Sequence, residues 1–156
     1  MFIQPSTDDP KPLWAMEIGL GVLAFGSIEL LVNQAGQLLP VRKADKAFTK
    51  LTLSERTELL VEALRGSGHA WEPSLIPWLT ELDAHRPIRN VLAHEPMLLD
   101  LFYNERTEEV AVQVKIYSPR NGGTTILFED LVHWRQRAQA IALEMTHIVY
   151  PSAGKA

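Results

Sequence analysis

The chain has 156 residues, with 15 Lys and Arg against 19 Asp and Glu and a formal net charge of −4. One compact domain is expected at that length, and 46% apolar with 22% charged residues excludes a mainly disordered chain or a coiled-coil rod. The absence of cysteine excludes disulfides, zinc–thiolate centres, iron–sulfur clusters and thiol nucleophiles. The acidic balance argues against a broadly basic nucleic-acid coat but leaves room for a local basic site.

Residues 1–12 read as a disordered tail, with Pro5, Pro10 and Pro12, the acids Asp8 and Asp9, and no basic or apolar signal-peptide pattern. Residues 13–39 read as one long helix, entered at Pro12 and stopped by Pro40. Ile18, Val22, Phe25, Glu29 and Val32 fall near one face, and Leu20, Leu23, Leu30 and Leu31 widen the stripe. Gly19 and Gly26 share a side, and each costs about 1 kcal/mol in a helix interior. Close approach of another helix compensates such a cost, either inside the chain, the plainer reading, or across a dimer. The longest strongly apolar uncharged run, between Glu17 and Glu29, is eleven residues, against about 20 for a membrane span. A buried core helix in a soluble, cytoplasmic protein with no membrane association is therefore expected.

A polar linker at 40–49 carries Arg42, Lys43, Asp45 and Lys46. Thr52-Leu-Ser-Glu55 then has the pattern of a capping box, opening a helix to Leu64 or Arg65 with Leu59, Leu60, Ala63 and Leu64 inward and Gly66-Ser-Gly68 ending it. Residues 71–82 read as a connector and helix. Asp83-Ala-His-Arg-Pro87 restarts a helix over 88–94, broken by Pro96. The apolar run 97–103 is left unassigned. Val110, Val112, Val114 and Ile116 alternate with Ala111, Gln113, Lys115 and Tyr117, which is strand periodicity. Ser118-Pro-Arg-Asn-Gly-Gly123 is turn chemistry, and 124–128 returns, giving a β-hairpin at about 110–128.

The last helix, 131–149, is expected to be capped by Glu129 or Asp130. Its apolar face is Leu131, Trp134, Ala138, Ile141, Ala142, Met145, Ile148 and Val149. His133, Arg137, Glu144 and His147 lie mostly on the solvated side, and 151–156 is a flexible tail. The expectation is a single mostly α domain over 13–150, a four-to-five-helix bundle with a small β-hairpin inserted before the last helix. The four tryptophans, Trp14, Trp71, Trp78 and Trp134, are expected to anchor its core.

Phosphate-loop, dinucleotide, nucleophile-elbow and H-E-x-x-H motifs are all absent. His133 and His147 are fourteen residues apart, too far to share a metal, and no metal or cofactor is expected. One constellation remains, Arg89-Asn90-Val91-Leu92-Ala93-His94. Asn90 and His94 share a helix face at i,i+4, while Arg89 and His94 stand about 140° apart around the axis. An imidazole can take and give a proton near neutral pH. A guanidinium can hold charge growing on phosphoryl oxygens in bidentate fashion.

This segment resembles the R-x(4–6)-H motif of the HEPN superfamily, small all-helical domains common in prokaryotic toxin–antitoxin and phage-defence systems. The likeness includes the polar residue after the Arg and the Leu92-Ala93 pair before the His. The long first helix bearing Glu29 and Asn33 and the late final helix resemble the family layout. The resemblance implies a homodimer whose two motifs face each other and cut single-stranded RNA without metal, in some members under an antitoxin partner. Arg89, Asn90 and His94 would be catalytic, His85 and Arg86 would add substrate-binding charge, and Glu29 would support the Arg. Two departures stand out. Family members often have Gly after the His, where Glu95-Pro96 follow here, and toxins silenced by adenylylation carry Tyr two residues after the His, where this chain has Pro96. The alternatives are a catalytically silent relative that binds RNA, a nucleotide or a partner protein, and a plain helical interaction module. Tyr117, Arg120 and Asn121 on the hairpin are further candidates for RNA contact, more plainly read as solvent-facing.

Overall fold

The structure is a computed structural model that describes residues 10–41, 47–120 and 123–151. Among the described residues it has four α-helices and a three-stranded antiparallel sheet placed before the last helix. The sequence expectation of a mostly α chain with a small β insert therefore holds. The linker residues 42–46 and Asn121 lie outside the described residues.

Helix α1, Lys11–Leu38, packs along α4, Phe128–Val149. Trp14 meets Phe128 at 5.4 Å between ring centres, and Phe25 stacks on Trp134 at 5.2 Å. The buried face of α1 includes Trp14, Ala24, Phe25, Ile28, Leu31, Val32 and Ala35. The stripe read from the sequence is rotated from this one: Leu20, Val22, Leu23 and Leu30 are exposed. The cause is that apolar residues surround the helix, so periodicity marks no face clearly. Tertiary pairing decides instead, because Glu17 is buried where it accepts from Arg135 Nε at 2.7 Å.

The glycines divide differently from the expectation too. Among the described residues, a Cβ on Gly19 or Gly26 would meet nothing within 4 Å, so neither seats one of the described helices. The close approaches are at Gly21, against the Trp134 ring, and at Gly36, against the Phe48 ring.

Helix α2, Leu53–Leu64, opens with the expected capping box. The Glu55 carboxylate accepts from the Thr52 amide at 2.7 Å, and the Glu55 amide donates back to Thr52 Oγ1 at 3.3 Å. Thr52→Ala removes one arm, and urea denaturation should show a loss of about 1 kcal/mol. Leu60 and Leu64 are fully buried. Gly66 and Gly68 both take φ +69°, the left-handed conformation a helix stop requires.

Helix α3 is one element, Glu72–His94, with Pro77 and Pro87 inside it. The expected break over 83–87 is absent. Each proline removes one backbone hydrogen bond, yet Leu75, Leu79, Leu82, Val91 and Leu92 are buried along the helix and hold it through both. Glu72 ties the entry, accepting from the Gly66 and Gly68 amides at 2.6 and 3.1 Å.

The unassigned run after Pro96 is a strand, β1, Met97–Asn104. It pairs with β2, Glu109–Ser118, which pairs in turn with β3, Thr124–Ile126. The hairpin read from the sequence is thus the second half of a three-stranded sheet. Its return strand stops at Ile126 because α4 begins at Phe128, three residues ahead of the expected start. Asp130 helps set that start, its carboxylate accepting from the Leu127 amide at 3.0 Å. The β1–β2 ribbon reaches the core at one end only: Ile116 is buried and Val112 exposed.

The expected inner face of α4 is borne out, with Leu131, Trp134, Ala138, Ile141, Met145 and Val149 buried. Arg137 departs from its expected solvated role. It donates twice to Glu81 of α3, at 2.8 and 2.6 Å, and lies 6.0 Å from the Trp78 ring centre. Trp14 and Trp134 are core residues, while Trp71 and Trp78 are partly buried against it.

Candidate functional site: an arginine pocket between three helices

Three arginines converge where α1, α2 and α3 meet. Arg56 of α2 is buried at 7% exposure and spends all three nitrogens: Nη1 donates to Asn33 Oδ1 at 2.6 Å, Nη2 pairs with Glu29 Oε2 at 3.6 Å, and Nε reaches the Thr52 carbonyl at 3.5 Å. Arg89 of α3 pairs with the other oxygen of the same Glu29, at 3.4 Å, and donates to Asn90 Oδ1 at 3.4 Å. Arg86, one turn earlier, is drawn toward Asp83 at 3.0 Å, while its Nε is closed off from solvent with no hydrogen-bond partner. Phe25, Glu29, Thr52, Leu53, Arg56, Arg86, Arg89 and Asn90 line a pocket of about 370 Å³.

The electrostatics follow from that inventory. Three permanent cations share the pocket with one lining carboxylate, while Asp83 pulls on Arg86 from outside its lining. Glu29 bridges two guanidinia at distances longer than an optimal charge-assisted bond of about 2.8 Å. Arg89, held only by 3.4 Å contacts to Glu29 and Asn90, is left able to take up another oxyanion. A protein with net charge −4 thus has one concentrated basic recess.

Four of the six residues chosen from the sequence meet here: Glu29, Arg86, Arg89 and Asn90. Two do not line the pocket. His85 turns toward α4: its carbonyl accepts from Trp134 Nε1 at 3.0 Å, its Nε2 lies 3.5 Å from Glu81, and its Nδ1 is buried without a partner. It sits in a helix–helix seam, which answers the expectation of a substrate contact. His94 is the last residue of α3 and is exposed, one turn beyond Asn90 on the same helix face. Glu95 is drawn to the sheet, accepting from the buried Ser118 hydroxyl at 3.1 Å.

Arg56 and Asn33 are the site residues that motif reading missed as site residues. A signal for Arg56 existed: it stands at i, i+4 and i+8 with Leu60 and Leu64, the two fully buried residues of α2. An arginine on an apolar stripe needs a partner inside, and Glu29 and Asn33 supply it.

A larger groove, about 480 Å³, lies between α2 and α3, but Glu58, Glu62 and Asp83 line it against a single Arg65. Its charge disfavours any anionic ligand. Among the described residues no three His, Asp or Glu side chains gather as a metal site would require. By length and composition alone α1 is apolar enough to cross a membrane, and one face of it is taken up by α4. Compared with protein-family models, with curated proteins and with solved structures, the chain matches none.

Proposed function

We propose that this chain is a HEPN-like, metal-independent endoribonuclease that acts as a homodimer on single-stranded RNA in the cytoplasm, with an antitoxin or similar protein as its restraint. The observation that carries the reading is the arginine pocket. Residues picked by motif, Arg89 and Asn90, lie beside Arg56 and Arg86 around a recess fit for a phosphodiester. The anchoring of Glu95 by Ser118 also supports it, since a carboxylate next to the motif histidine is drawn to the sheet rather than left free to repel a phosphate.

The chemistry needs a base, an acid and a charge clamp. The ribose 2′-oxygen attacks the adjacent phosphorus and gives its proton to one His94. The bond to the 5′-oxygen breaks, and that oxygen takes a proton from the second His94 across the twofold axis. Arg89 holds the charge on the non-bridging oxygens, and Asn90 orients the phosphate. The products are a 2′,3′-cyclic phosphate and a 5′-hydroxyl.

The test is incubation of purified protein with end-labelled single-stranded RNA in excess EDTA. Cyclic-phosphate products are expected. Phosphate-dependent binding without cleavage would replace the nuclease with a silent RNA- or nucleotide-binding domain. A second measurement probes Glu29, which competes with substrate oxyanions and also orients Arg89. Glu29→Gln should lower KM severalfold by removing the competing charge and lower kcat by about tenfold through loss of orientation. A change in neither parameter excludes Glu29 from the site.

A further inference from the structure

Helix α1 has a second face that the described residues leave bare. Met16, Gly19, Leu23, Gly26 and Leu30 follow one another at alternating steps of three and four residues, the spacing of a helix–helix seam. Leu23 is 70% exposed, Leu30 57% and Met16 51%, while Gly19 and Gly26 face open space. With Leu13, Leu20 and Leu38 at its margins, the bare apolar surface is on the order of 700 Å² per copy. That exceeds the 300–600 Å² typical of the largest patch on a monomer and approaches the ~800 Å² per partner of a standard interface.

No charge interrupts this face. The two acids of α1 are taken inward, Glu17 by Arg135 and Glu29 by Arg56 and Arg89. The one basic residue of the helix is Lys11, at its first position. A helix lying on a lipid surface carries basic residues along its polar flank to meet the headgroups, and α1 has none beyond Lys11. A large–small alternation also fits a copy of itself. Glycine costs helix stability unless it lets something come close, and nothing among the described residues comes close to Gly19 or Gly26.

We infer that the bare face of α1 is the seat of a second copy of this chain, the two α1 helices packing antiparallel about a twofold axis level with the 24–25 peptide. In that register Leu23 lies over Gly26 of the partner subunit and Leu30 over the partner's Gly19, so the two leucines at the centre of the seam each meet a gap. The contact is isologous and closes at two copies. It does not depend on nuclease activity: a chain that dimerises through this face and cuts no RNA overturns the nuclease alone.

Sedimentation equilibrium of the full chain at 1–100 µM, with no RNA present, reads the oligomer. A dimer is expected, and Leu23→Glu or Gly26→Leu should weaken it at least about 100-fold. Circular dichroism should show an intact fold, since both positions are open in the single chain. The absence of native cysteine allows a direct register test. In a Gly19→Cys/Leu30→Cys chain the two thiols are about 16 Å apart along one helix, too far to join within it. Oxidation should therefore give a covalent dimer. A monomer at 100 µM, or a dimer indifferent to Leu23→Glu, overturns the inference. So does flotation of wild-type protein with anionic vesicles that Leu23→Glu abolishes, because that assigns the face to lipid. A dimer sensitive to Leu23→Glu but yielding no cross-link overturns the antiparallel register.

Discussion

An Arg89→Ala chain is expected to fold normally and to lose RNA cleavage by about 100- to 1,000-fold, the usual cost of removing one preorganised partner of a developing oxyanion. The prediction rests on a contrast between two arginines of one pocket. Arg89 is 41% exposed at its side chain and makes only long contacts, 3.4 Å each, to Glu29 and Asn90. Its loss leaves Glu29 still paired with Arg56, so little stability goes with it. Arg56 is buried and bonded at every nitrogen, so Arg56→Ala should damage the fold before its effect on RNA can be read. Arg89→Lys should recover only a small part of the rate, because an ammonium cannot offer the planar two-pronged contact.

His94→Ala should cost about 100- to 10,000-fold in kcat, the range for removing a positioned general acid–base, and again spare the fold, since His94 is exposed. The measurement is single-turnover cleavage of a labelled RNA in EDTA, with a thermal melt of each variant beside it. If Arg89→Ala and His94→Ala both cut at the wild-type rate, the nuclease reading is wrong whatever the oligomeric state. If Arg89→Ala alone fails and also loses RNA affinity, the pocket binds phosphate without performing the chemistry assigned to it.

What the sequence revealed of this molecule depended on how local each signal was. The capping box at Thr52, the glycine stop after α2 and the inner face of α4 are short-range patterns, and all three are present. The fused helix α3 was hidden because Pro77 and Pro87 punctuate it locally, while the buried leucines that override them act through tertiary contact. The inward face of α1 was hidden for the opposite reason: the helix is apolar nearly all round, and only its buried Glu17–Arg135 pair, 118 residues apart in the chain, picks out the face. In the site, Arg89 and Asn90 were legible from a six-residue pattern. Arg56 was not, because its partner Glu29 comes from another helix, although its place on the stripe of Leu60 and Leu64 marked it.

Gly21→Ala should destabilise the fold by about 3 kcal/mol, the upper part of the range for overpacking a filled core. A methyl there would overlap Trp134 Cζ3 and come inside 3 Å of two more ring atoms. The ring has no room to yield. It is 1% exposed, stacked on Phe25 at 14° between planes, and its indole N–H donates to the His85 carbonyl at 3.0 Å. Relief requires either breaking that hydrogen bond, at about 1 kcal/mol, or parting α1 from α4 along their shared core. The helix propensity gained, about 1 kcal/mol, offsets only part of this.

Gly19→Ala and Gly26→Ala make the same chemical change on the same helix with nothing to strike, so dilute monomer should gain up to about 1 kcal/mol from each. Urea denaturation of the three variants below the dimer concentration range separates the cases by sign. For a chain of this length the Gly21 variant should melt roughly 6–12 °C lower. Trp134→Phe in the Gly21→Ala background should recover part of the loss, since the smaller ring vacates the space the methyl needs, and the double-mutant cycle should show a coupling well above additivity. Equal shifts at all three glycines would mean that Trp134 does not rest on α1, and the packing that aims Glu29 at the arginine pocket would have to be redrawn.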